Sequence, residues 1–339
     1  MKRACNVLVA VAVQALLVAG IASAQVSDDV VKIGVLDDFA GPYAQNSGQG
    51  SLIAARMAVE EFGGTVLGKP IEVIFADMQN KVDVGAGIAR EWYDEQKVDM
   101  ITGLTNSAVA LAVQKIALDK NRIDIATGAA SAQLTGTGCS PNGAHWVYDT
   151  YALGKGTGTA VVKQGGDTWF FITVDYTFGQ SLQKDATTFV EAAGGKVVGS
   201  VTHPLDQTDF SSYLLQAQAS KAKVIAIASG GSNLANVVKQ AGEFGIVKGG
   251  QRLVALIINN TDAHGIGIKN AQGLLFTYAY YPDMNPEAQA FVKRFRTHLD
   301  HPPTMIQAGT YSAVMHYLKA IKAAGTDEAK KEHPPNPGD

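Results

Sequence analysis

Short apolar runs alternate along the chain with longer segments in which apolar residues recur every three or four positions. The run Val31–Leu36 is of strand type, and Ser51–Phe62 follows it with its apolar residues on one helical face. Such alternation is typical of parallel strand–helix–strand units. The pattern therefore predicts an α/β fold.

This alternation occurs twice, with a new start after Tyr148. The further predicted strands are Ile71–Ala76, Met100–Gly103, Ile123–Thr127, Trp169–Val174, Lys196–Val201, Val224–Ala228 and Leu253–Ile257. Two successive runs of such units predict two doubly wound parallel-sheet lobes instead of one barrel. Ligands of such folds bind in the crevice beyond the carboxyl ends of the strands.

The later helices Pro286–Leu299 and Thr310–Ala324 lack a full set of new strands, so we expect them to return to the first lobe. The remaining residues are polar and rich in proline, which is typical of disorder. The expected limits are 25–147 for the first part of lobe 1, 148–277 for lobe 2, 278–325 for the return to lobe 1, and 326–339 for a disordered tail.

The first 24 residues have the pattern of an export signal. Lys2 and Arg3 precede an apolar run over 7–21, and small residues at 22–24 supply a cleavage site. We therefore expect a signal peptide over 1–24 and a mature protein in the periplasm. No later segment offers about 18 uninterrupted apolar residues, so a membrane anchor is not expected.

Charge and cysteine content argue against a nucleic-acid partner and against a disulfide. The chain of 339 residues has a formal net charge of −3, and loss of the two leader bases takes it to −5. A mildly acidic chain without a basic stripe argues against nucleic acid as a partner. Cys5 lies in the leader and Cys139 is then alone, so no disulfide is expected within the mature chain.

Sequence motifs for catalysis are missing. The chain has no His-Glu-x-x-His, Cys-x-x-Cys or Gly-x-Ser-x-Gly motif, and its seven His residues include no pair with helical ligand spacing. Gly63–Lys69 has the spacing of a phosphate loop, but Pro70 replaces the required hydroxyl. We expect no enzyme, no metal site and no cofactor.

Two polar segments each follow a predicted strand and are expected to open a helix. They are Gly103–Ser107 and Thr127–Ser131. Free amides at two adjacent helix starts, with a hydroxyl or amide side chain, form a cradle for a carboxylate. Ordinary N-capping by Ser107 and Ser131 explains the same residues equally well, so both interpretations stay open.

Aromatic residues cluster at predicted turns, outside the periodicity of the core. They are Tyr43, Trp146, Tyr148, Tyr151, Tyr176, Phe178, Tyr278, Tyr280 and Tyr281. Aromatic side chains in such positions often line an interface or a ligand cleft. Partial burial explains any single one of them, but the group favours a ligand cleft.

Six short segments stand out along the chain: Val31–Val35, Gly41–Tyr43, Ala54–Glu60, Asp175–Gly179, Asp209–Phe210 and Gly273–Leu275. In this order they resemble type I periplasmic solute-binding proteins of ABC transporters, in the branched-chain amino-acid (Leu/Ile/Val) binding family. His145–Tyr151 and Tyr281–Asn285 are similar to the branch associated with aromatic acids. Family members usually continue for several dozen residues past Gly325, so the resemblance implies that C-terminal strands are missing.

The resemblance implies that two lobes close around a hinge over a small solute and present it to a permease in the inner membrane. Asn106, Ala129 and Ser131 fall where the family holds the ligand's carboxylate. The other implied ligand-binding residues are Tyr43 and Asn46 on the first lobe, Tyr151, Tyr176 and Phe178 on the second, and Gly231, Asn233, Asn259 and Thr261 on loops that face the cleft.

Amino-acid binders of the family hold the ligand's ammonium with acidic side chains, where this chain has Ala152 and the apolar run Leu256–Ile258. A buried ammonium without a carboxylate partner is costly. We therefore expect the ligand to be an aromatic carboxylic acid. The resemblance implies delivery of this ligand to an ABC importer, and we expect the binding protein to be a monomer. Asp149, Asp175 and Asp262 keep a branched-chain amino acid or an amide open as the ligand. A periplasmic sensor subunit and an exported hydrolase are the remaining alternatives.

Overall fold

The computed structural model describes residues 26–329, so the predicted leader and residues 330–339 lie outside the described residues. The strands are β1 Val31–Asp37, β2 Thr65–Val66, β3 Lys69–Asp77, β4 Met100–Gly103, β5 Ile123–Ala126, β6 Gly143–His145, β7 Thr168–Val174, β8 Lys196–His203, β9 Val224–Ala228 and β10 Arg252–Ala255. The helices are α1 Gly48–Phe62, α2 Val82–Asp94, α3 Ser107–Asp119, α4 Thr150–Lys163, α5 Thr177–Ala192, α6 Ser211–Ala219, α7 Gly231–Glu243, α8 Asn260–Ile266, α9 Ile268–Ala271, α10 Pro286–Phe295 and α11 Met305–Ala324.

The strands form two separate sheets. The first has the order β2-β3-β1-β4-β5-β6 and the second the order β10-β9-β7-β8. Every strand pair is parallel except β2–β3, which is an antiparallel hairpin. The predicted α/β fold with two parallel-sheet lobes is thus confirmed. Gly63–Lys69 belongs to the turn and hairpin between α1 and β3, and so does not form a phosphate loop.

Helices cover both faces of each sheet. In the first lobe, α2 and α3 pack on one face, and α1 and α11 pack on the other. In the second, α4 and α5 lie on one face, and α6 and α7 on the other. Gly34 of β1 makes room for Trp92 of α2, because a Cβ atom there would lie 2.3 Å from the Trp92 ring. Each sheet is therefore covered on both faces, which is typical of parallel strands that are apolar along their length.

The end of the described chain packs on the first lobe. Phe291 and Phe295 of α10 contact Ala54 and Met57 of α1. The side chain of Asp327 accepts hydrogen bonds from the backbone amide and the hydroxyl of Ser27. The disordered tail predicted over 326–339 stays a prediction. The predicted lobe limits themselves stay predictions. Within residues 26–329, no helix is long and apolar enough to span a bilayer.

Candidate functional site

A cavity lies between the two lobes, beyond the carboxyl ends of β1, β4 and β5 on one side and of β7, β9 and β10 on the other. Its lining residues are Tyr43, Asn46, Thr105, Gly128, Ala130, Tyr148, Tyr176, Phe178, Gly230, Ile257, Asn259 and Ile306. Its volume is only about 20 Å³, which is room for about one water molecule. This place in the fold is where doubly wound sheets bind ligands.

Tyrosine hydroxyl groups meet in the middle of the cleft. The Tyr176 hydroxyl donates to the Tyr43 hydroxyl across the cleft at 2.9 Å, and the Tyr148 hydroxyl donates to the backbone oxygen of Gly128 at 2.7 Å. Burial raises the pKa of all three phenols above the ordinary 10. They therefore stay protonated and can donate hydrogen bonds at neutral pH.

Carboxylates lie behind the lining but not in it. No charged side chain lines the cavity in the part of the chain that the structure describes. Asp38 accepts from the backbone amides of Gly41 at 2.6 Å and Tyr43 at 2.8 Å, which fixes the loop that carries Tyr43. Burial raises the pKa of both Asp37 and Asp262 to about 6. The cavity wall is thus uncharged, with buried acids in the layer behind it.

The predicted carboxylate cradle does not form as two helix starts. Thr127–Ser131 leads only into a single 3-10 turn, Ala132–Leu134, so the prediction of a helix there is wrong. The physical reason is the following stretch, 135–143, where Gly, Ser, Asn and Pro favour turns and end the helix at once. The amides of Ala130 and Ser131 donate to the Ser107 hydroxyl, each at 3.2 Å, and are already satisfied.

The other predicted helix start is capped by its own side chain. The Asn106 side-chain oxygen accepts from the amides of Ala108 at 3.0 Å and Val109 at 3.2 Å. N-capping is therefore what the structure shows for α3, with Asn106 and not Ser107 as the cap. Asn106, Ala129 and Ser131 do not line the cavity.

Polar contacts at the edge of the cleft join the lobes directly. Asn46 bonds to Thr261 and Asp262, the Ser131 and Ser181 hydroxyls lie 2.7 Å apart, and the Ser232 amide donates to the Pro42 oxygen at 3.0 Å. We call these contacts the rim, and we call Tyr43, Tyr148, Tyr176 and Phe178 the centre. Rim contacts exist only while the lobes are together.

Gly231 lets the rim close. Its φ of +60° is in the left-handed region that favours glycine, and a Cβ atom there would lie 2.2 Å from the Pro42 backbone oxygen. Any side chain at this position would therefore push the lobes apart. Gly231 was predicted to bind ligand, and the structure places it between the two lobes beside the cavity.

The structure brings Tyr43, Asn46, Tyr176, Phe178 and Asn259 together around the cavity; that they bind a ligand stays a prediction. It does not bring the other predicted site residues to the lining. Tyr151 is 49% exposed and packs edge-to-face on Phe189, with ring centroids 4.8 Å apart. The Asn233 amide donates to the Gln207 oxygen at 3.0 Å. Thr261 donates to Asn46 in the rim.

Sequence reasoning missed several lining residues. They are Thr105, Gly128, Ala130, Tyr148, Ile257 and Ile306. Gly230 also lines the cavity, and it lies on a loop that was expected to face the cleft. Thr105, Gly128 and Ala130 were inside the two polar segments, and Tyr148 was in the aromatic cluster, so a signal existed for these four. Ile306 is the second residue of α11, far along the chain, and no local pattern marks it. Within residues 26–329, no group of three or more His, Cys, Asp or Glu side chains is placed to hold a metal ion.

Comparison with known proteins agrees with this fold and cleft. A family model described as "Periplasmic binding protein" matches residues 30–332. A periplasmic binding protein from Burkholderia mallei is 47% identical in sequence, with a TM-score of 0.87, over 89% of this chain and 80% of that one.

Two further relatives carry names that mention a ligand. The structure of a branched-chain amino acid ABC transporter periplasmic ligand-binding protein from Burkholderia xenovorans is 39% identical, with a TM-score of 0.76, over 88% of this chain and 79% of that one. A Leu/Ile/Val-binding protein homolog 6 from Brucella melitensis is 26% identical over 93% of this chain and 82% of its own. These matches confirm the expectation of a binding protein instead of an enzyme.

Proposed function

We propose that this chain, which belongs to the periplasmic binding protein family, captures a small carboxylic acid that has no ammonium group and has an aromatic body. The chain is the solute-binding component of an ABC transporter. The identity of the ligand, and the export of this chain to the periplasm by its leader, are the proposed parts. The observation that supports this ligand class is the cavity wall, in which four of the twelve lining residues are aromatic and no described residue is charged.

An uncharged wall treats the two ends of an amino acid differently. A carboxylate can accept from the protonated hydroxyls of Tyr43 and Tyr176, and such charge-assisted hydrogen bonds are strong. An ammonium would find no carboxylate among the lining residues, so its charge would be buried without a partner in the wall. A flat ring gains further from the faces and edges of Phe178 and Tyr148.

Ligand entry requires the lobes to separate. Because the cavity has room for about one water molecule, an aromatic acid must displace the direct bond between Tyr43 and Tyr176. Movement of two rigid lobes about short connecting segments achieves this. We place the hinges near Tyr148–Thr150 and Phe276–Ala279.

A branched-chain amino acid is the second candidate. It is favoured by the names of the Burkholderia xenovorans and Brucella melitensis relatives and by Asp262, a buried acid directly behind two lining residues. Asp262 accepts from the side-chain nitrogen of Asn46 at 3.2 Å and from the backbone amide of Asn259 at 2.7 Å. An ammonium that displaced the Asn46 amide group would reach this carboxylate.

Calorimetry with four ligands separates the two candidates. Benzamide lacks the negative charge of benzoate, cyclohexanecarboxylate lacks its aromatic ring, and leucine carries an ammonium group. We expect benzoate to bind most tightly and benzamide to bind about 10-fold or more weakly, because it loses a charge-assisted hydrogen bond. We expect no measurable binding of leucine. Tight binding of leucine without binding of benzoate would refute the proposed ligand class.

A further inference from the structure

Asn46 uses both ends of its side-chain amide on the opposite lobe. Its oxygen accepts from the Thr261 hydroxyl at 2.7 Å, and its nitrogen donates to the Asp262 carboxylate at 3.2 Å. Asn46 and Asp262 are buried, with 3% and 5% of their surface exposed. The oxygen and the nitrogen of this side chain are thus each engaged by a group of the opposite lobe.

Both sides of this contact are held firmly in their own surroundings. The backbone oxygen of Asn46 accepts from the Thr304 hydroxyl at 2.6 Å, and the backbone amide of Asn46 donates to the backbone oxygen of Tyr43 at 2.9 Å. On the other lobe, Asp262 accepts from the Asn259 amide at 2.7 Å as part of the capping box that starts α8. Two preorganised groups thus meet across the cleft, and separating the lobes breaks both bonds at once.

We propose that Asn46, Thr261 and Asp262 form a closure latch, in which Asn46 is a positioning residue that senses the second lobe and does not read the ligand. The latch stabilises the closed arrangement with or without a ligand, as long as Asn46 stays in place, because its bonds join protein to protein. A contact present only in the closed state shifts the equilibrium between open and closed lobes before any ligand arrives. Loosening it lowers the affinity for every ligand by one common factor.

Asn46 and Asn259 link the latch to the cavity, because both also line it. A ligand that fits under these two side chains leaves the latch intact, and one that pushes Asn46 aside breaks it. The latch therefore rewards ligands whose size allows complete closure. This inference goes beyond the proposed function and does not depend on which ligand class binds.

Two substitutions weaken the latch and a third is the matched control. Thr261→Val keeps the shape but removes the hydroxyl that Asn46 accepts from. Asn46→Asp places a second carboxylate beside Asp262, so it replaces a hydrogen bond with repulsion. Thr261→Ser keeps the hydroxyl and should restore the behaviour of the unaltered protein.

Fluorescence energy transfer between the lobes tests the latch without a ligand. Cys139 is exposed on the first lobe and accepts one dye, and Glu191→Cys on α5 of the second lobe accepts the other. In the ligand-free protein, we expect Thr261→Val to lower the ratio of closed to open molecules by about 3- to 10-fold, the effect of one hydrogen bond. Asn46→Asp should lower it further, and Thr261→Ser should not.

Ligand titrations complete the experiment. Each ligand of the calorimetry panel that binds should lose affinity in Thr261→Val by the factor by which the closed fraction falls in the ligand-free protein. Unchanged energy transfer in both Thr261→Val and Asn46→Asp would overturn the latch. So would an affinity loss that occurs while the distribution between open and closed lobes stays the same, because that is the behaviour of a ligand contact. A failure of the proposed ligand class leaves the energy-transfer result untouched.

Discussion

The centre and the rim of the cleft are built from different kinds of contact. The centre consists of aromatic rings and protonated hydroxyls, with the Tyr43–Tyr176 bond as its crossing point. The rim consists of bonds between protein groups, and it includes the ionisable side chain of Asp262. A change at the centre should therefore separate one ligand from another, and a change at the rim should affect all ligands alike.

The largest effect is expected where the rim has no space. In Gly231→Ala the new Cβ atom would lie 2.2 Å from the Pro42 oxygen, so the lobes cannot close completely. We expect calorimetry to show at least about 100-fold weaker binding of every ligand, as for a severe overpacking of roughly 3 kcal/mol. Gly245→Ala is the matched control, because Gly245 has a similar φ of +64° and open space around it. Equal losses in both variants would assign the effect to backbone strain instead of closure.

Asp262 should make the stability of the protein sensitive to pH. Burial raises its pKa from 3.8 to about 6, so the folded state retains a proton that the unfolded state releases. The stability contributed by this group is complete below pH 4 and is lost as the pH rises through 6. Asp262→Asn cannot ionise, so the variant should gain stability relative to the unaltered protein between pH 4 and 7, by up to about 3 kcal/mol.

Urea unfolding of both proteins at pH 4.5 and 7 measures this difference. Burial also raises the pKa of Asp37, Asp99 and Asp124, but these groups are present in both proteins and cancel in the comparison. Parallel stability curves at the two pH values would show that Asp262 is not a source of pH dependence.

A change at the centre should alter the selectivity between aromatic and saturated acids. Tyr176→Ala removes a ring that lines the cavity, and we expect benzoate to lose about 1 kcal/mol more binding free energy than cyclohexanecarboxylate, or about 5-fold in affinity. Phe75→Ala is the control, since Phe75 is an exposed aromatic residue outside the lining. A loss of the same size for both acids would contradict a stacking role for Tyr176.

The sequence predicted the elements of the fold better than the partners of polar groups. Met100–Gly103 and Val224–Ala228 were predicted with the limits that the structure shows, because each is a short apolar run buried on both faces. The segments 103–107 and 127–131 look alike locally, yet only the first opens an α-helix. The outcome depends on the turn-forming residues that follow, which the local pattern did not weigh.

The candidate site was predicted in part for a related reason. Tyr43, Tyr176 and Phe178 were found because aromatic residues at turns stand out from the periodicity of the core. Which atoms Asn46 and Thr261 contact depends on bringing together positions more than 200 residues apart in the chain. Such pairing follows from how the lobes close and has no local signature.

The anchoring of the Tyr43 loop has a practical consequence. Asp38 holds this loop through the main-chain amides of Gly41 and Tyr43, so its course does not depend on the phenol that it displays. Another side chain can therefore be exchanged at position 43 without rebuilding its support. Because the rim contacts also hold the lobes together, this makes the protein a suitable scaffold for an engineered biosensor, in which recognition is retuned while the reporting movement is preserved.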